Sequence, residues 1–250
     1  MKYIIKQKFT LSIIAIVIVA IAVSCCFAFV PNNSVGETRI VTLDKIENID
    51  FNNLSEKKLD SIFATGEEFI QENPNASEDE VDSFLRALMI EACENDVIDE
   101  VYGGDDSLYN KLTKEEKKLC ILHPFKAIKV NNARKTAESK AKELYDGDSL
   151  WQYNGDAFRH AYWNALMTKS IGKKYAEKFA TAHESTSPDG LDKTMDLTNN
   201  RIGRDYGENN KKKSEAELAI IIRDAVSAGK MVQFNATKDA LVATNSIGLK

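Results

Sequence analysis

Between Asp156 and Glu184 a helical pattern is written twice in succession, with a glycine at the join. In the first copy Phe158, Tyr162, Ala165 and Leu166 recur at the spacing of one helix face. Asp156, His160, Trp163 and Met167 form a second stripe, polar at one end, on which Asp156 and His160 are neighbours one turn apart. Ser170-Ile171-Gly172-Lys173 then breaks the pattern. In the second copy Ala176, Phe179, Ala180 and His183 share a face. The expectation is an antiparallel hairpin of helices over 155–169 and 173–185. His160 and His183 lie equally far from the middle of the turn. At the helical rise both stand roughly 17 Å from the bend, at one height.

A third segment supplies further polar groups. Asp196, Asn199, Asn200 and Gly203 fall on one helical face, and a glycine there lets another backbone come close. The candidate site therefore gathers Asp156, His160, His183, Glu184, Asp196 and an asparagine. Imidazole and carboxylate suit a divalent metal such as zinc, manganese or iron, which would activate water for hydrolysis. In that reading Asp156, His160, His183 and Asp196 are the ligands. Glu184 is the general base, and Asn200 and Arg204, with Asn199 as an alternative, orient the substrate. The spacing is not His-Glu-x-x-His, so this is no zinc-protease helix. A metal-free reading makes His160 the base, oriented by Asp156, with Glu184 or Asp196 as acid. A third reading makes the cluster a fixed hydrogen-bond network in a non-catalytic binding module at the cell surface. Arg159 is expected to point away from the Asp156–His160 stripe and to pair with an acid, Trp163 to be core, and His123 to start a helix.

The strings DAFRHAYWNALM (from Asp156), AHE (from Ala182), MDLTNNRIG (from Met195) and HPFKA (from His123) occur in order. Over about residues 120–210 they resemble an uncharacterised bacterial domain of unknown function found in secreted, surface and toxin-like proteins. The resemblance implies an all-helical fold and an extracytoplasmic setting, and it implies no reaction.

The rest of the chain is read as mostly helical. Residues 55–119 form an N-terminal helical layer, 120–230 the core domain and 231–250 a tail with one short helix. Ser77 with Glu80, Thr113 with Glu116 and Ser214 with Glu217 are capping boxes that open helices. His123-Pro124 starts a long helix to about Tyr145, because proline is tolerated in a first turn. Asp146-Gly147-Asp148 lacks the spacing of a calcium loop and reads as a solvated turn.

At the start, Lys2, Lys6 and Lys8 precede a run without charges, Leu11–Val30, apolar but for Ser12 and Ser24. Residues 1–30 are thus a signal peptide or membrane anchor, joined by a linker over 31–54. Retention as a transmembrane helix, lipidation at Cys25 and cleavage near Ala28 all put residues 31–250 outside the cytoplasm and make the membrane a partner. Without those three lysines the 33 basic residues become 30 against 38 acidic ones, a balance of −8. That excludes a broad basic surface for nucleic acid. Cys93 and Cys120 either pair or stay as buried thiols.

Overall fold

The computed structural model describes residue 50 and residues 54–94 and 112–250. All of them belong to one compact unit, Asp44–Lys250. The apolar run, and the linker except for Asp50 and Leu54, lie outside the described residues. Among the described residues, no helix is long and apolar enough to cross a membrane.

Helices α1 (Glu56–Glu72) and α2 (Glu78–Glu94) pair through Leu59, Ile62, Phe63, Val81, Leu85 and Met89, all buried. Helix α3 (Lys114–Leu122) opens on the Thr113–Glu116 capping box, both halves of which form. Pro124 then begins α4 (Pro124–Leu144), with His123 as its N-cap residue, stacked edge-on against Tyr175. Arg86 donates to the carbonyls of Ile121 and Leu122, and the Phe125 N–H donates to Asp82. The α1–α2 layer is thereby tied to the α3–α4 corner. Cys93 and Cys120 are both buried thiols rather than a disulfide.

Helix α5 (Asn154–Ile171) is the centre, packing on α4, α7 and α8 and on the β-hairpin. Nearly every residue from Asn154 to Thr168 is buried, as expected of a helix covered on all sides. It stops at Gly172, whose φ of 81° lies in the left-handed region that suits glycine. Helix α6 (Lys173–His183) follows at once. The His183 ring meets the Trp163 ring edge-on at 5.3 Å, so α6 folds back along α5. After a short 3-10 turn at Glu184–Thr186 come α7 (Leu191–Asn209) and α8 (Glu215–Ser227), the latter opened by the Ser214–Glu217 capping box.

Helices α5 and α7 touch backbone to backbone. A Cβ placed on Gly203 would lie 2.2 Å from the Ala161 carbonyl oxygen, and one on Gly207 would lie 2.5 Å from that of Ala165. No other residue fits at either point.

The C-terminal residues correct the sequence reading. In place of a short helix, β1 (Val232–Phe234) pairs antiparallel with β2 (Leu241–Ala243), Gln233 opposite Val242. Among the described residues the fold is therefore mostly helical, with one small two-stranded sheet. Asn199 of α7 explains the strand, because its side-chain amide donates to the Val232 carbonyl at 2.9 Å and accepts its N–H at 3.0 Å. It completes β1 as a neighbouring strand would. The Phe234 N–H in turn donates to the Gln152 carbonyl, and Asn245 exchanges hydrogen bonds with Asn154. These contacts fix the entry into α5.

Candidate functional site

The site is built from the first turns of α5 and one face of α7. Gln152, just before α5, has a φ of 65° and is held by the Phe234 bond to its carbonyl. This turn aims its N–H at Asp156, whose Oδ2 accepts it at 2.7 Å. Asp156 and His160 then face the same way, and His160 is 3% exposed. From α7, Asp196 and Asn200 come in one turn apart on the face that continues into Gly203. The glycine contact draws this face close enough for Asp196 Oδ1 to reach within 3.2 Å of His160 Nε2. Asp156 Oδ1 is 3.6 Å from the same nitrogen. One donor atom from each of Asp156, His160 and Asp196 lies within 4.8 Å of the other two.

The tautomer of His160 follows from a chain of partners that ends at Arg204. Arginine can only donate, so the Asn164 atom 3.0 Å from Arg204 Nη1 is its oxygen. Asn164 therefore turns its amide nitrogen to Asn200, whose facing atom at 2.6 Å must be an acceptor. That same Asn200 Oδ1 sits 3.2 Å from His160 Nδ1, which must then carry the hydrogen. The lone pair is left on Nε2. Arg159 gives the same answer independently, since its Nη2 lies 2.9 Å from Nε2 and also donates to Asp156.

Burial first, and the charge of Arg159 second, push the His160 pKa down to about 3, so the ring is neutral. Asp196 moves the other way, up to about 8, through burial and then the negative charges of Glu184 and Asp156. At neutral pH Asp196 holds a proton that it can direct at Nε2.

His183 is not among these three residues, although the sequence reading made it a ligand, because helical rise does not fix which way its ring faces. Its Nδ1 lies 2.8 Å from Glu116 Oε1 of α3. Burial draws its pKa down, but the Glu116 hydrogen bond and charge outweigh that and leave it raised. Glu184 is buried close by, with Oε2 accepting from Ser187 and Oε1 without a hydrogen-bond partner among the described residues. The amide nitrogen of Asn200 is equally without one. Arg204 is buried and engaged with Asn164 and Glu177, so it orients the network rather than reaching toward Nε2. Asn199 serves the β-hairpin. Arg159 pairs with an acid as expected, but the acid is Asp156, so it lies on the stripe rather than away from it. Asn164 was missed. The available signal was its place one turn after His160 on a face otherwise made of small and apolar residues.

No curated protein and no solved structure matches this chain. Residues 117–230, which run from within α3 to just past α8 and hold Asp156, His160, Asp196 and Arg204, match the family described as a domain of unknown function (DUF6973).

Proposed function

We propose that Asp156, His160 and Asp196 hold a divalent cation that activates water for hydrolysis. The observation that carries this is the convergence of two carboxylates on the lone-pair nitrogen of a buried, neutral histidine whose other nitrogen is fixed by Asn200. That is the arrangement metal-binding histidines use, one nitrogen on the ion and the other on an oriented acceptor. One imidazole and two carboxylates suit manganese or zinc, and three protein ligands leave positions for water and substrate. The charge pattern points the same way. Burial first, and then the neighbouring charges of Glu184 and Asp156, keep a proton on Asp196 up to about pH 8. A dication would relieve that repulsion, lower the pKa of a bound water toward neutrality and displace the Arg159 guanidinium from Nε2. Glu184, buried and with one oxygen unengaged, is the base for this reading.

The competing reading is a purely structural network, favoured by Arg159, which already occupies both Asp156 and Nε2. The lysine-led apolar run Leu11–Val30 supports a membrane-bound or secreted setting for either.

Calorimetric titration of the full chain with manganese or zinc separates the two. Under the metal reading one equivalent binds, His160→Gln and Asp196→Asn lose it while keeping their helical circular dichroism, and His183→Ala retains it. A wild-type chain that binds neither ion leaves the structural network as the function of the cluster.

A further inference from the structure

A cleft of about 510 Å³ opens beside the cluster, between α1, α4 and the α5–α6 pair. We propose that it binds a small organic carboxylate carried on an apolar body. Its designation as the substrate site rests on the hydrolase reading above, whereas the binding itself does not.

The volume falls within the range of small-molecule sites. The apolar wall comes from Leu59 and Phe63 of α1, Val130 of α4, Trp163 of α5 and Phe179 of α6. Trp151, 65% exposed, also lines the cleft and offers a flat apolar face to an entering ring or chain. These surfaces recognise an apolar body.

The charge preference follows from which groups are already engaged. Among the described residues three carboxylates line the cleft, and each has a partner at hydrogen-bond distance. Asp60 is held by Lys135 at 2.9 Å and Asn131 at 2.8 Å, Glu138 by Arg134 at 3.0 Å, and Glu116 by His183 at 2.8 Å. Arg159 differs. It lines the cleft and reaches the cluster, and its bonds to Asp156 and His160 both use Nη2. Its Nε and Nη1 have no hydrogen-bond partner among the described residues, and the side chain is 29% exposed. A guanidinium with free N–H groups at the junction of an apolar cleft and a reacting centre selects a carboxylate, which it meets with charge-assisted hydrogen bonds. Such a ligand would lie with its apolar part along Trp151 and Val130 and its anionic end next to His160.

The chain contains two tryptophans, and both line this cleft. Energy transfer from tryptophan to a dansyl group therefore reports on it directly. Titration of the full chain with dansylglycine should give saturable transfer. The neutral dansylglycinamide, with the same apolar body, should bind about ten-fold more weakly, the loss expected for one charge-assisted hydrogen bond. Arg159→Gln should bring the two ligands to parity. Val130→Phe, which fills the cleft from a half-buried wall, should abolish transfer to both while still binding manganese or zinc as the wild type does. If Val130→Phe loses its helical circular dichroism, Trp151→Ala at the exposed position replaces it and should weaken dansylglycine binding. Equal affinity for acid and amide in the wild-type chain overturns the proposal, as does undiminished binding in a folded Val130→Phe or Trp151→Ala chain. Because cation binding is read separately, loss of the cleft ligand alone leaves the hydrolase reading standing, and the reverse holds too.

Discussion

Replacing Gly203 by alanine tests the contact on which the site geometry depends. The new Cβ would meet the Ala161 oxygen at 2.2 Å, its Cα at 2.6 Å and its carbonyl carbon at 2.7 Å. All three are backbone atoms of a buried helix, so no side chain can rotate away. To restore a tolerable contact of at least 3.0 Å to that oxygen, α7 must move off α5 by about 0.8 Å. Overpacking of this kind costs about 3 kcal/mol at the upper end of the usual range. Alanine recovers about 1 kcal/mol of helix propensity over glycine. The net loss is about 2 kcal/mol, a drop in Tm of roughly 4–8 °C for a unit of this size. Gly147→Ala is the matched control, since nothing lies within 4 Å of its Cβ and its φ is not positive. It should fall within about 0.5 kcal/mol of the wild type. Thermal unfolding followed by circular dichroism measures all three proteins. The same displacement carries Asp196 and Asn200 away from His160, so cation affinity should fall with stability. A Gly203→Ala protein that melts with the wild type, or no lower than Gly147→Ala, refutes the close packing and the site geometry derived from it.

Two further outcomes concern the cluster. The Asp196 pKa is raised on folding, so its contribution to stability is complete below about pH 4 and is lost as the pH rises toward 8. The His160 pKa is depressed, so its contribution is present above about pH 6.5 and is lost as the pH falls toward 3. Urea unfolding of the cation-free chain across this range should show the first slope removed in Asp196→Asn and the second in His160→Gln; unchanged slopes would contradict these environments. Arg204→Met should reduce cation affinity by about ten-fold by releasing the orientation of Asn164, Asn200 and the His160 ring. Calorimetry on that variant showing wild-type affinity would disconnect Arg204 from the tautomer.

The parts of the fold that depend on local rules were legible in the sequence. The capping boxes at Ser77, Thr113 and Ser214 open helices as read, because a cap is settled within four residues. Gly172 ends a helix and Gly203 admits a backbone, both for lack of a side chain. What escaped depended on distant partners. Helical rise fixes how far His183 lies from the bend but not the direction it faces, and Glu116, 67 residues earlier, holds it there. The β-hairpin forms where Asn199, 33 residues before Val232, offers its amide. Arg159 was placed by its position on the helix, yet its long side chain bends back to Asp156 one turn away. The tautomer chain runs through Asn164, a residue whose value is visible only once Asn200 and Arg204 stand opposite it.

The glycine-to-carbonyl contact between α5 and α7 also decides which motions the molecule can use. Two helices whose backbones touch at successive turns have no side-chain layer to slide through, and shear between packed helices needs such a layer. The pair that carries Asp156, His160 and Asp196 therefore moves as one stiff piece. Access to Nε2 must come from a side chain that turns, and Arg159 is the group in the way. Rotation of a side chain, once its bonds to Asp156 and His160 are broken, is a smaller and faster motion than a hinge between domains. Under the cation-binding reading proposed above, entry at this site would be gated by a single guanidinium, with the helical frame standing still around it.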